Sequence, residues 1–380
     1  FFKQKTAYET EEDKAFTEHY LACEKDSRLH GISVPALEMM KKIMKSAVET
    51  GTPFIFFRDT VNEANPNKHA GMIYASNLCH EIAQNVGFTN LKKEILEDDG
   101  TITTVTAPGD MVTCNLNSIN LGKIDEDFLE EQIALQVRML DNVITINQTP
   151  VPESRLTCDK YRAIGLGGYH HYLVKHGLRW ESKEHIAAAD ALFEKIAYYA
   201  IKASMELSKE KGAYPAFKGS EWDTGKYFTR RGYTSEKWQR LAADVHKYGM
   251  RNGYLLAVAP TGSTSNIANT TAGIDPIFKK FFIEEKQGSF TPKTAPDLNP
   301  KTFWLYKEAH TIDQQWYIRA NAARQRHIDQ AQSFNLYITP RMKASEILNL
   351  YIEAYKQGIK TIYYVRNQSL EMDECTSCSS

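Results

Sequence analysis

Apolar residues fall into a few distinct rhythms along the chain. Leu37, Met40, Ile43 and Met44 recur at three- and four-residue intervals within the polar stretch 7–50, which predicts one face of a helix. Gly51-Thr52-Pro53 ends that rhythm, and Phe54-Ile55-Phe56-Phe57 follows as an unbroken apolar run, the pattern of a buried strand. Helical spacing returns over 126–148 (Ile133, Val137, Leu140, Ile144), in the Ala- and Glu-rich stretch 183–211, and over 235–248. Tyr254-Leu255-Leu256-Ala257-Val258 predicts a second buried strand, closed by Pro260. The proline-containing polar stretch 286–303 reads as a loop, 344–358 as a last helix, and Thr361-Ile362-Tyr363-Tyr364-Val365 as β-rich. After Asn367 the chain turns acidic and Ser-rich, the composition of a mobile tail. Strands alternating with helices, without an internal repeat, predict an α/β fold.

Length and charge narrow the function classes. With 380 residues the chain can bury a large core, and at about 150 residues per domain it allows one barrel or two smaller domains. A formal net charge of -1 offers no excess of Lys and Arg for nucleic-acid phosphates. No apolar run approaches the ~20 residues of a membrane span. Phe1-Phe2-Lys3-Gln4-Lys5 does not read as a signal peptide, and its abrupt polar start without Met leads us to expect a chain cut from something larger. Six cysteines in such a length are too sparse for a disulfide scaffold, so a reducing cytoplasm is the expected home.

Several segments carry candidate chemistry. In Ser76-Asn77-Leu78-Cys79-His80-Glu81, an extended backbone would set Asn77, Cys79 and Glu81 on one side, a thiol between an amide and a carboxylate. A buried structural cysteine beside a surface glutamate has the same spacing. Cys114, in the β-prone Met111–Ser118, is uninformative alone. Pro260-Thr261-Gly262-Ser263-Thr264-Ser265-Asn266 follows an apolar strand with hydroxyls and a glycine, as a phosphate cradle or a plain helix cap would. Cys375-Thr376-Ser377-Cys378 lacks a second pair for zinc but suits thiol–disulfide exchange on a mobile arm. Gly165-Leu166-Gly167-Gly168 misplaces the third glycine of a dinucleotide fingerprint, and His170, His171 and His176 lack a metal-binding pattern.

Together these pieces resemble the C-terminal catalytic part of class I ribonucleotide reductase large subunits. Ser-Asn-Leu-Cys-x-Glu at 76–81 is similar to that family's finger-loop motif. Cys114-Asn-Leu with Asn120-Leu121-Gly122 is similar to the strand bearing one active-site cysteine, and Pro260–Asn266 with Asn269–Pro276 resembles the substrate-phosphate loop. Lys360–Tyr364 and the terminal dithiol resemble the radical-relay tyrosines and shuttle tail. The motifs keep their order from about residue 10 to the end.

The resemblance implies an α/β fold, the C-terminal part of a ten-stranded α/β barrel with a finger loop, incomplete at its N-terminal side. The barrel part would occupy residues 1–366 and a redox-shuttle tail 367–380. The implied activity is reduction of ribonucleoside diphosphates for deoxyribonucleotide and DNA synthesis. Cys79 would carry a thiyl radical, Glu81 would act as base, Asn77 would bond the substrate, and Cys114 would supply one reducing sulfur. Ser76, Asn77, Leu116, Thr261, Gly262, Ser263, Thr264 and Ser265 would bind substrate. Tyr363 and Tyr364 would pass the radical from a metal-containing small subunit, with no cofactor bound by this chain. Cys375 and Cys378 would be re-reduced by a thioredoxin- or glutaredoxin-like protein. Their close spacing looks more like the class Ib branch. An N-terminal part of the large subunit is the further implied partner, and the strands at 54–57 and 254–258 are expected to flank the surface it covers. The rivals are a non-catalytic nucleotide-binding or assembly half of a split subunit, and a stand-alone thiol–disulfide oxidoreductase.

Overall fold

The computed structural model describes residues 11–165, 169–286 and 289–368. Its scaffold is the helix Lys183–Lys211, which Ser182 caps by accepting a hydrogen bond from the His185 amide and which ends at Gly212, φ +81°. Ala189, Phe193, Ile196, Ala197, Ala200 and Ile201 are buried at helical spacing. They face helices Leu129–Ile146 and Gln314–Gln325, and the alanines let those neighbours approach closely. Leu129, Ile133, Val137, Leu140 and Ile144 answer from the second helix, and Trp238, Leu241 and Val245 of Glu236–Tyr248 complete the principal core. The predicted helices at 126–148, 183–211, 235–248 and 344–358 thus form, the last as Ala344–Lys356. Residues 7–50 hold two helices, Glu11–Lys25 and Ala36–Thr50, because Gly31 and Pro35 interrupt the stretch between them.

Against this helical layer stands a wall of six extended segments. Phe57 N donates to Lys360 O (2.9 Å), and Ile55–Phe56 pairs antiparallel with Thr361–Ile362. Tyr363 N donates to Phe334 O (2.7 Å), and Leu336–Ile338 pairs parallel with Val365–Asn367. Val258 bridges Gln332 in parallel, Ile164 N donates to Tyr254 O (3.1 Å), and Leu116 bridges Gly165 in parallel. The order is therefore 55–57, 360–367, 330–338, 254–258, 164–165, 115–117. Parallel neighbours packed under helices are the α/β pattern expected of a barrel, and the wall does not close among the described residues. The segment 254–258 is extended and buried as predicted but lies inside the wall. Only 55–57 lies at an edge, contrary to the expectation that both flank an uncovered surface.

Regular strands are short because side chains take over part of the ladder. The Asp329 carboxylate accepts from Leu255 N and Leu256 N (2.9 and 2.8 Å), and Asn335 Oδ1 accepts from Tyr364 N (3.0 Å). The buried Lys360 ammonium donates to the carbonyls of Ile328, Asp329 and Gln330, fixing the tyrosine-bearing segment to its neighbour. Burial pushes that ammonium down to about 7, reinforced by Arg231 and opposed by Asp329.

Two hairpins leave the wall, Asn90–Leu96 with Ile102–Ala107 and Phe281–Lys286 with Ser289–Thr294. The second corrects the predicted loop at 286–303. Pro292 sits opposite Ile283 in a two-stranded ribbon, where a missing N–H can face outward without breaking a ladder.

One charged group locks the helical layer. Asp141 is fully buried and receives Arg162 Nε (2.5 Å), Arg251 Nε (3.0 Å) and Lys211 Nζ (3.1 Å). Burial alone would push its carboxyl up, but the three cations outweigh that and hold it below the usual range. Asp141→Ala would leave the buried Arg162 with only the half-exposed Asp159 carboxylate at 3.8 Å, so a loss of about 3 kcal/mol of unfolding free energy is expected in urea titration. A change under 1 kcal/mol would show that the cluster is dispensable.

Candidate active site

Residues 76–81 form a tight turn, with His80 N donating to Asn77 O (3.2 Å) and His80 itself at φ +63°. The alternation expected of an extended strand is therefore absent. Asn77, Cys79 and Glu81 converge because the turn folds them inward. Asn77 Oδ1 accepts from Ile82 N (3.1 Å), and Ser76 Oγ donates to Ile82 O (2.8 Å), which pins both ends of the turn. That leaves the Asn77 amide nitrogen unengaged by the turn, and Asn77 favours the charged forms of both the Glu81 carboxyl and the Cys114 thiol.

Four segments distant in sequence meet here. Glu81 O accepts from Ala331 N (2.9 Å), and Ser333 Oγ donates to Cys79 O (2.5 Å) and lies 3.3 Å from Glu81 Oε2. Tyr363 lies beside Cys79, close enough that each shifts the titration of the other. Tyr363 and Tyr364 sit ring to ring, with centroids 4.3 Å apart, and Phe54 packs on both at 4.6 and 4.8 Å. The His80 ring stacks on Tyr363. Gly51, which ends helix Ala36–Thr50 in the left-handed region, is needed for a second reason: a Cβ there would stand 3.1 Å from Tyr364 Cδ1.

The electrostatics favour neutral groups. Glu81 is 1% exposed, and burial pushes its carboxyl up against the opposing bonds from its own backbone, Asn77 and Ser333. Burial likewise raises the Cys79 thiol; Tyr363 opposes this and the Glu81 charge adds to it. Cys114 is exposed as a residue, yet the protein packed around its sulfur, and then Glu81, push the thiol up to about 11, with Asn77 opposing and Cys79 adding. Both sulfurs are therefore held as thiols, suited to giving hydrogen atoms or protons, while a shielded carboxylate with a raised pKa suits a general base. Alkylation of Cys114 by iodoacetamide, followed by peptide mapping, should still accelerate between pH 9 and 10. A plateau by pH 9 would contradict the raised thiol.

Other predicted residues lie along the same wall. Leu116 is half-buried in the bridge to Gly165. Thr261–Ser265 follow the buried segment 254–258, the place where open parallel sheets bind ligands. The stretch turns into a short helix, Gly262–Ile267; Gly262, Ser263 and Thr264 are exposed, whereas Ser265 is buried with its hydroxyl donating to Gly262 O (2.8 Å). Cys375 and Cys378 lie outside the described residues, as does most of the glycine run at 165–168. Among the histidines, His170 and His171 are buried, His170 Nε2 lying 2.8 Å from Trp180 Nε1, while His176 is exposed.

Ser333, His80, Phe54 and Gly51 were not singled out from the sequence. Ser333 left a usable signal: Gln330, Gln332, Ser333 and Asn335 are polar residues in a stretch leading to an apolar strand, and buried polar residues need partners.

Comparison with known proteins identifies the family. The family model for the ribonucleotide reductase barrel domain matches residues 2–365. The ribonucleoside-diphosphate reductase subunit alpha of Treponema pallidum is 54% identical over 369 positions, covering 95% of this chain and 44% of the relative. The subunit of the same name from Helicobacter pylori is 37% identical over 412 positions, covering 94% and 52%, and that from Synechocystis 34% over 374, covering 91% and 46%. The chain thus spans about half the length of the curated relatives it matches. With the model matching nearly its whole length, the chain belongs to the ribonucleotide reductase barrel-domain family.

Proposed function

We propose that this chain is the catalytic barrel part of a ribonucleoside-diphosphate reductase large subunit, exchanging the 2′ hydroxyl of a ribonucleoside diphosphate for hydrogen. The observation that carries the reading is the convergence of Cys79, Glu81, Cys114 and the Tyr363–Tyr364 pair from segments separated by more than 200 residues. A bare assembly module has no use for a tyrosine pair set beside a thiol and a shielded carboxylate, so the non-catalytic reading is not favoured.

In the proposed cycle an electron and a proton leave Cys79 through Tyr363 and Tyr364, toward a radical-bearing small subunit. The Cys79 sulfur radical takes the 3′ hydrogen, and Glu81 takes the 3′ hydroxyl proton. The 2′ hydroxyl departs as water with a proton from one of two reducing thiols, of which Cys114 is one. The second thiol supplies the hydrogen that takes its place at C2′, and the two sulfurs close to a disulfide and so supply the two electrons. Glu81 returns its proton to the 3′ oxygen, Cys79 returns its hydrogen to C3′, and the electron and proton come back to Cys79 through the tyrosines. Asn77 and Ser76 bond the sugar, Leu116 contacts it, and Thr261–Ser265 hold the diphosphate. Cys375 and Cys378 exchange with the new disulfide and are reduced by a thioredoxin- or glutaredoxin-like protein in the cytoplasm.

The second reducing thiol comes from an N-terminal part of the large subunit. Cys158 is buried beside Asn115, 4.0 Å from its Nδ2, and residues 114 and 115 of an extended segment point to opposite faces. It therefore lies behind the wall from Cys114.

The test is conversion of CDP to dCDP by this chain with small subunit and thioredoxin system, with and without the N-terminal part. Turnover is expected only in the complete mixture. Cys375→Ser with Cys378→Ser should stop thioredoxin-driven turnover while sparing one turnover of pre-reduced enzyme; the eleven residues from Tyr364 to Cys375 reach about 36–40 Å when extended. A complete mixture that yields no dCDP would overturn the reading.

A further inference from the structure

The loop that follows the buried segment 254–258 is tied at two points. Gly273 N donates to Thr261 Oγ1 (2.7 Å), closing 261–273 on itself, and Ile277 N donates to His170 Nδ1 (2.9 Å). Between these anchors Asp275 reaches into the wall. One carboxylate oxygen accepts from the Tyr317 hydroxyl, and the other accepts from Asn335 Nδ2 at 2.6 Å. Asn335, 6% exposed, uses its remaining polar atom, Oδ1, to accept from the backbone amide of Tyr364 at 3.0 Å. The return bond runs from Leu336 N to Tyr364 O (2.9 Å).

Two side chains therefore join Thr261–Ser265 to the tyrosine pair. The joint is stiff for physical reasons. Each atom of the Asn335 amide has one partner of the right polarity, and the Asp275 carboxylate has one donor for each oxygen. Tyr317, fully buried, fixes the far side of the carboxylate. Burial pushes the Asp275 carboxyl up, opposed by its bonds to Tyr317 and Asn335 and by the nearby Arg366 and Arg324 charges. Displacing Asp275 by a few tenths of an ångström must either stretch a 2.6 Å charge-assisted bond or move Asn335, and with it the Tyr364 amide.

We propose that Asp275 and Asn335 are positioning residues through which a nucleoside diphosphate seated on Thr261–Ser265 sets the placement of Tyr364. The inference rests on the proposed function for the identity of the ligand and of the tyrosine's role. It adds two residues outside the reacting groups, Asp275 and Asn335, as the link by which Tyr364 takes its working position when a diphosphate is present.

The test uses the assembled enzyme carrying a fluorinated tyrosine at position 364, with CDP as the probe. Three quantities are read: the fluorine resonance with and without CDP, CDP affinity by equilibrium binding, and turnover. The parent enzyme should show a CDP-dependent shift. Asn335→Asp is isosteric and keeps an acceptor for Tyr364 N, but it removes the hydrogen between positions 335 and 275. It should bind CDP with near-normal affinity, lose the shift, and fall in kcat by about tenfold or more. Asp275→Asn combined with Asn335→Asp reverses the bond's polarity, letting residue 275 donate to residue 335 while Tyr317 and Tyr364 keep their partners. This double variant should regain both shift and turnover. If Asn335→Asp alone does not fold, Asp275→Leu, of similar shape but with no acceptor for Asn335 Nδ2, serves as the broken state. CDP binding without any fluorine shift in the parent, or a broken state that keeps its shift, overturns the linkage and leaves the function standing. Failure of the double variant to regain the shift while folded also overturns it. Absence of CDP binding in the parent overturns both.

Discussion

Cys79→Ser is expected to abolish CDP reduction, lowering turnover by about a thousandfold or more, while CDP affinity stays within about twofold of the parent. The substitution is nearly isosteric, and a serine hydroxyl can still sit beside Tyr363, so the turn at 76–81 should persist. What changes is the hydrogen-bearing bond. An S–H hydrogen can be lost to a neighbouring tyrosyl radical because the two bonds are of similar strength, whereas an aliphatic O–H is too strong to be opened that way. No nearby group substitutes: Cys114 is held by Asn77 and Glu81, and it is Cys79 that Tyr363 lies beside. Parallel CDP binding and dCDP assays decide the matter, and appreciable turnover by the serine variant would remove Cys79 from its role.

Tyr363→Phe should be almost as severe for a different reason. The ring packs between Tyr364, Phe54 and His80, contacts that phenylalanine reproduces. The hydroxyl is all that is lost, and with it the polar group beside the Cys79 thiol that is able to give up a hydrogen atom. Thermal stability is therefore expected to hold within about 1 kcal/mol, the net worth of one hydrogen bond, while turnover falls to background. A chemically generated thiyl radical on Cys79 would still be competent in this variant, because Asn77, Glu81 and Cys114 are untouched. Normal dCDP production by Tyr363→Phe would mean that the radical enters by another route.

How much of this was readable in advance depended on the reach of each interaction. The helix Lys183–Lys211 was legible because its cap at Ser182, its Ala-rich face and its stop at Gly212 all lie within the segment. Asn77, Cys79 and Glu81 were legible as a motif, but the turn that gathers them was not, since it depends on Ser76 and Asn77 bonding forward to Ile82. The strand at 254–258 was read correctly as buried, but its place in the middle of the wall was not legible, because its neighbours at 164–165 and 330–332 come from either side in sequence. Pro292 hid the hairpin 281–294, because proline weighs against a strand unless the strand is known to lie at an edge. Ser333 and Asn335 escaped because their partners are 252 or more residues away for one, and split between Asp275 and Tyr364 for the other.

Where side chains complete the ladder, the main chain becomes genetically addressable. Ordinary substitutions cannot delete a peptide carbonyl, so the hydrogen bonds of a regular sheet are beyond the reach of point mutation. In this wall, Asp329→Ala would remove the acceptors of two consecutive amides, and Asn335→Ala the acceptor of a third. Those three amides belong to the segments that lead to Thr261 and that carry Tyr364. Codons 329 and 335 therefore act as adjustable pegs on the backbone itself, and variation there can retune the spacing of the barrel wall while leaving every residue that touches a nucleotide unchanged.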